Sequence, residues 1–156
     1  MKVLGIDPGV GRVGWAIVEK NQTDQLLASG CFETTPNSPL PSRLVKIHLF
    51  LSDLIKQYQP DHASVEDVFF ATNAKTAMSV GAARGVILLT CSLAGLPIFN
   101  YTPLQVKSAI TGYGKADKKQ VEFMVVKLLK LKETPKPDDT VDAIAIALTH
   151  LAIYKK

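Results

Sequence analysis

Cysteine is scarce in this chain: Cys31 and Cys91 are the only two among 156 residues, far apart and in no Cys-x-x-Cys or Cys/His pairing. Neither a disulfide framework nor a structural zinc site is suggested, and a reducing cytoplasm is the expected setting. Long apolar runs are also missing. The longest, from Gly85 to Phe99, is broken by Thr90 and Ser92, follows Arg84, and falls short of the ~20 residues a bilayer span requires. Asp7 interrupts the only apolar run near the start, so no signal peptide is expected. No internal repeat or low-complexity segment appears, and His48, His62 and His150 form no ligand motif, which leaves them as surface or satisfied core residues. Neither sign of charge dominates: 18 Lys and Arg face 14 Asp and Glu for a net +4, which permits a polyanionic partner and equally fits ordinary solubility charge. With 47% hydrophobic residues, residues 1–156 are expected to form a single soluble domain with no membrane association.

What is present reads as alternating strands and helices. Lys2 to Asp7 is a short apolar run closed by Asp7-Pro8-Gly9, and Val13 to Val18 resumes with β-prone residues, which is a hairpin signal. Gln25 to Glu33 gives a third strand, followed by a proline-rich loop to Ser42. Leu44, Ile47, Leu51, Leu54 and Ile55 recur at helical spacing through Arg43–Tyr58, with Ser42 as the expected N-cap. His62 to Val68 is a fourth strand, Thr76 to Leu93 a long apolar helix with small residues at Gly81, Ala82, Ala83 and Gly85, and Pro97 to Tyr101 a fifth strand. Pro103 opens a short helix, and Asp117 with Gln120 forms a capping-box start to a helix reaching about Leu131. After Thr134-Pro135-Lys136-Pro137, Asp138 or Asp139 caps a final helix through Tyr154 that is apolar on nearly all sides. This order predicts an α/β fold in which an antiparallel meander joins a parallel section, with helices on both faces.

Four acids stand out against this pattern. Asp7 and Glu66 fall at the C-terminal ends of predicted strands, where ligands bind in open α/β sheets. Asp7 alone is also a good turn residue before Pro-Gly. Glu66 closes an apolar strand, where an unpaired carboxylate is costly and a buried ion pair is the ordinary remedy. Asp139 and Asp142 share one helix face, and like charges there repel unless a cation sits between them, although the helix dipole also favours acids in a first turn. Together the four could supply the oxygen ligands magnesium prefers, and two such ions stabilise both the attacking water and the leaving oxygen in displacement at phosphate. Lys115, Lys118 and Lys119 crowd one Gly-containing stretch, with Lys107 upstream.

Six segments, in order, carry a resemblance: Gly5-Ile6-Asp7-Pro8-Gly9, Val65-Glu66-Asp67-Val68-Phe69, Gly81-Ala82-Ala83-Arg84-Gly85-Val86, Gln105-Val106-Lys107, Gly112-Tyr113-Gly114-Lys115-Ala116-Asp117-Lys118 and Asp139-Thr140-Val141-Asp142-Ala143. Their joint order and spacing, across nearly the whole chain, resemble the RuvC family of crossover junction endodeoxyribonucleases. The resemblance implies a ribonuclease H-like fold with a five-stranded mixed sheet and helices on both faces. It implies that Asp7, Glu66, Asp139 and Asp142 are metal-binding catalytic acids for two Mg2+ ions, which Mn2+ can replace, and that Lys107 and Lys118 serve near the scissile phosphate. Phe69 matches an aromatic presented to DNA at the branch point; Thr72, Asn73, Lys75 and Lys115 are further expected DNA contacts. Paired symmetric nicks in a four-way junction suit a homodimer, and the helix with Gly81, Arg84 and Gly85 resembles the dimer-forming element. A branch-migration motor, a junction-binding platform protein and a nucleoid-associated cytoplasmic location are implied too.

The chain departs from the family pattern at Asp67, which replaces a neutral amide, and at Asp138, which adds an acid before the closing pair. Alternation turns Asp67 away from Glu66, and only Asp139 keeps the i,i+3 relation with Asp142, so the original assignment stands. Three competing readings are a nucleotide-hydrolysing actin-like domain, which needs a second phosphate-binding hairpin and a much longer chain; a related ribonuclease H-like nuclease acting on RNA; and a non-catalytic junction-binding module, against which the intact acidic quartet argues because clustered acids weaken DNA affinity.

Overall fold

The computed structural model describes residues 1–67 and 74–154, the side chains of Ala74 and Lys75 excepted. The elements run β1 (Lys2–Asp7), β2 (Arg12–Lys20), β3 (Asp24–Glu33), α1 (Leu40–Tyr58), β4 (His62–Glu66), α2 (Ala74–Leu93), β5 (Ile98–Tyr101), α3 (Pro103–Thr111), α4 (Lys118–Leu128) and α5 (Asp138–Ile153). The five strands lie in the order β3-β2-β1-β4-β5. The first three form an antiparallel meander, while β4 pairs parallel to β1 and β5 parallel to β4.

Strand alternation sorts the side chains into two layers. Leu4, Ile6, Val13, Ile17, Ala63 and Val65 point to one face, where Ile47, Leu51 and Leu54 of α1 and Ala83, Ile87 and Cys91 of α2 cover them. Val3, Ala16, Val18 and Tyr101 point to the other, under α5 and flanked by Val106 and Ile110 of α3 and Val121 and Val125 of α4. The same parity assigns Asp7, Glu66 and Arg12 to the α5 face.

Helix α5 is the central element of its layer, with every residue from Ala143 to Leu151 buried. It can lie this close because β1 and β2 carry glycine beneath it: a Cβ at Gly5 would overlap the Ala143 carbonyl, and one at Gly14 the Asp139 carbonyl. Ser64 adds a hydrogen bond from its hydroxyl to the Ile146 carbonyl, 3.1 Å away. His150, fully buried in α5, bonds the Tyr101 hydroxyl through Nδ1 and His62 through Nε2, each at 2.8 Å, so it is the satisfied core histidine expected.

Several boundaries differ from the sequence expectation for local reasons. Helix α1 begins at Leu40 with Pro39 as N-cap and no side-chain cap, so Ser42 sits inside the first turn and does not cap it. Helix α5 is preceded by Pro137, also without a side-chain cap; Asp138 and Asp139 are its first-turn acids and cap nothing. The capping box of Asp117 and Gln120 on α4 is present as expected, and a second, of Thr102 and Gln105, opens α3. Strand β4 ends at Glu66, and Asp67 turns toward α2 to meet Arg84 at 2.8 Å. Helix α2 contains one 18-residue window, Thr76–Leu93, long and apolar enough by composition to cross a membrane, and only 22% of that window is buried. The window coincides with the long apolar helix expected from sequence over Thr76 to Leu93.

Replacing Gly14 with alanine forces the first turn of α5 away from β2. We expect Gly14→Ala and Gly5→Ala each to lower stability by ~1–3 kcal/mol or more, measured by urea denaturation; an unchanged midpoint in both would refute this close packing.

Candidate active site

The C-terminal ends of β1 and β4 and the first turn of α5 meet on one side of the sheet. Asp7 reaches this point because Val3, Gly5 and Asp7 share a face, and Glu66 because His62, Ser64 and Glu66 do. Helix α5 runs over both strands, so Asp139 and Asp142, one turn apart, overhang their ends. The four carboxyls lie close enough to act on one another. Burial, followed by the charges of Glu66, Asp142 and Asp139, pushes the Asp7 carboxyl from its ordinary 3.8 to about 8. Burial and then Asp142 push Glu66 from 4.5 to about 7, with Lys107 and Lys118 working against the rise. Asp142 is also raised, again first by burial, despite an ammonium group beside it.

That ammonium belongs to Lys118, the first residue of α4. Its Nζ donates to Asp138 Oδ2 at 2.6 Å and lies 3.1 Å from Asp142 Oδ2. Burial disfavours its charge, but the hydrogen bonds and negative fields of Asp138 and Asp142 more than compensate and hold it above the usual lysine range. Exposed Asp138 is correspondingly lowered by its hydrogen bond to Lys118. Between α3, α4 and α5 lies a cleft of about 210 Å³ lined by Glu66, Lys107, Lys118 and Asp142, with Val106 and Val121 among its apolar wall. A larger groove of about 390 Å³ on the outer side of α4 contains Asp117 as its one acid, and that carboxylate is occupied in capping α4.

The donor set suits a hard divalent cation, since it consists of carboxylate oxygens alone. Among the described residues, no three of these acids surround a common point at ligating distance. Lys118 Nζ lies beside Asp142 Oδ2, on the cleft side of the group. One observation favours a cation in this set: Asp139 Oδ2 is buried with no hydrogen-bond partner among the described residues, where the one cation within 4 Å is Arg12, through Nη1 at 3.8 Å. Such an oxygen is costly unless something charged completes it.

Every acid singled out from sequence therefore lies at this site, with Lys107 and Lys118. Asp67 is directed to the opposite face, and Asp138 sits at the outer edge on Lys118, which leaves Asp139, together with Asp142, as the closing pair whose charges act on Asp7. Lys115 is exposed in the turn before α4 and, among the described residues, forms no salt bridge with the acids. Phe69, Thr72 and Asn73 fall outside the described residues, as does the side chain of Lys75. Sequence reasoning missed Arg12, although counting two residues back from Gly14 along β2 would have placed it on the α5 face.

A meander-plus-parallel sheet of this order, with strand-end and helix-start carboxyls gathered over β1 and β4, defines the ribonuclease H-like class of α/β proteins. Within that class the chain belongs to the RuvC family, crossover junction endodeoxyribonucleases, whose family model matches residues 3–150. It is 50% identical over 152 residues to the crossover junction endodeoxyribonuclease RuvC of Desulforamulus reducens, covering 96% of this chain and 93% of that one. The protein of the same description from Brevibacillus brevis is 49% identical over 151 residues, covering 96% and 91%. Among solved structures, Thermus thermophilus RuvC in complex with Holliday junction substrate superposes with a TM-score of 0.92 at 38% identity, covering 97% of this chain and 93% of that chain.

The raised carboxyls have a consequence for stability. Where Asp7 and Glu66 titrate higher folded than unfolded, the native state holds protons that the unfolded chain has released. Metal-free stability then falls as pH rises from about 4 toward 8, and levels off above it. Asp7→Asn is expected to flatten that slope and to raise stability at pH 8 by on the order of 2 kcal/mol in EDTA, measured by thermal unfolding. A parental melting curve that does not move across this range would contradict the clustering of buried acids.

Proposed function

We propose that this chain is a structure-selective endonuclease that resolves four-way DNA junctions by paired symmetric nicks, hydrolysing the phosphodiester by in-line attack of water. The observation that carries the reading is the gathering of Asp7, Glu66, Asp139 and Asp142 in one mutual field beside Lys107 and Lys118. Family membership supports it, as does the likeness to a relative solved with a Holliday junction.

The four acids would hold two divalent ions, with magnesium preferred for an all-oxygen set and manganese able to replace it. Such ions, when bound, lower the pKa of a water and stabilise the leaving oxygen. The protein's own residues do the rest. Strands of the sheet carry Asp7 and Glu66 and helix α5 carries Asp142, so the backbone positions of the ligands are set before substrate arrives and their side chains converge on the ions. Lys118 stays charged at any working pH and, with Lys107 across the cleft, neutralises the scissile phosphate and the charge that develops on it. Phe69, Thr72, Asn73, Lys75 and Lys115 are proposed as DNA contacts around this centre. Residues 1–156 act in this reading as a single nuclease domain in the cytoplasm, associated with the nucleoid and cooperating there with a branch-migration motor and a junction-binding platform protein.

A homodimer is part of the proposal. Along α2, Met78, Leu89 and Leu93 are exposed and lie on one stripe with Gly85, around which a Cβ would meet nothing. A second copy packed along this stripe would cover it and present two sites to a twofold-symmetric junction.

Synthetic four-way, forked and linear duplexes incubated with the protein and magnesium should show symmetric cuts in the four-way junction alone, none in EDTA, and none for Asp142→Asn, which still binds. Cutting by Asp142→Asn at the parental rate would remove that residue from catalysis, and preferred cutting of RNA substrates would favour the RNA-acting relative. Light scattering should give the mass of two chains, and Leu89→Glu should give one chain that remains folded. A parental monomer at micromolar concentration would reject the proposed interface.

A further inference from the structure

Arg12 opens β2 two residues before Gly14, and alternation puts both on the face that carries the acids. Its Nη1 lies 3.8 Å from Asp139 Oδ2 and its Nε 3.2 Å from Glu33 Oε1, its register partner on β3. Lys107 and Lys118 stand across the cluster, on α3 and α4. The acids are thus bordered by positive charge on two sides, with the two lysines on one bank and Arg12 on the other.

Neither contact of Arg12 requires an arginine. The side chains of Arg12 and Glu33 are 54% and 62% exposed, and an ion pair so open to solvent contributes little to stability. The approach to Asp139 is too long for a hydrogen bond, and Asp139 Oδ2 is left without a hydrogen-bond partner among the described residues. What the position offers is a permanently charged, half-exposed guanidinium with five donors in a planar fork, tethered at Nε and open elsewhere. That geometry matches the paired non-bridging oxygens of a phosphodiester.

Resting on the reading of the chain as a DNA nuclease, we infer that Arg12 contacts substrate: it binds a backbone phosphate next to the one cut, on the β2 side. The cleaved strand therefore crosses the carboxylates from the Lys107 and Lys118 bank to the Arg12 bank. Glu33 holds the guanidinium at the rim when no DNA is present. Because Asp139 lies between Arg12 and Asp7, the same side chain also offsets some of the repulsion that four acids exert on an incoming polyanion.

The test is the salt dependence of junction binding in EDTA, compared among the parental chain, Arg12→Gln, Arg12→Lys and Glu33→Gln, with thermal melting as a check that each is folded. Losing one phosphate contact lowers the slope of log affinity against log salt by about 0.9. Arg12→Gln should show that change with a several-fold loss of affinity. Arg12→Lys should keep the parental slope because the charge remains, and Glu33→Gln should keep it because only the tether is lost. An unchanged slope in Arg12→Gln, with the parental chain binding and cutting normally, would overturn the assignment alone. Equal losses of affinity in Arg12→Gln, Arg12→Lys and Glu33→Gln, tracking a fall in melting temperature, would overturn it in favour of a bracing role. A parental chain that neither binds nor cuts junctions would overturn the nuclease reading and this assignment together.

Discussion

Repulsion among four carboxyls is the force around which this structure is arranged. Two sit at strand ends and two in the first turns of a helix whose middle is buried, so the backbone that carries each is fixed by the sheet or by α5. Burial and like charge together raise Asp7 to about 8 and Glu66 to about 7. A fold selected for stability alone would not keep such a group. Its persistence makes sense where a cation of higher charge completes it, and the scaffold brings the four carboxyls into one field, leaving the side chains to close on the ion.

The supporting structure is correspondingly stiff on that side. Helix α5 lies on Gly5 and Gly14, is tied through Ser64 to β4, and ends near the hydrogen-bonded chain of Tyr101, His150 and His62. Burial and the neighbouring His62 lower His150 to about 4, so this internal bracing keeps its neutral form across the physiological range. The opposite layer is built differently. There α1 and α2 close the second core, Arg84 links Asp67 to Asn100, and the outer stripe of α2 is left apolar and exposed. One face holds the acids, and the other leaves an apolar stripe of α2 open to solvent.

The positive groups are as informative as the acids. Lys118 is the ordinary counter-charge, paired with Asp138 and Asp142, and its two partners shift in opposite directions because Asp142 is half-buried and Asp138 is exposed. Asp138 thus has a use as a lysine anchor at the rim. Asp67, the other acid that departs from the family pattern, is accounted for by Arg84. Both extra acids are bound by intrachain cations, which separates them from the four that are not fully compensated.

Much of this was legible in the order of residues. Period-two alternation places Asp7 and Glu66, i,i+3 spacing places Asp139 with Asp142, and the Asp117 and Gln120 box starts α4 where Lys118 must fall, because these are properties of local geometry. Caps were the weak point: serine and aspartate before α1 and α5 look like N-caps, yet prolines at 39 and 137 already set the entry dihedrals and the helices begin earlier. Only the tertiary structure decided which acids share a field, that Lys118 sits between Asp138 and Asp142, and that Arg12 reaches Asp139. Those relations depend on α5 crossing β1 and β2 at the two glycines. A chain's local rules give the direction in which each side chain points, whereas packing alone sets which distant ones meet.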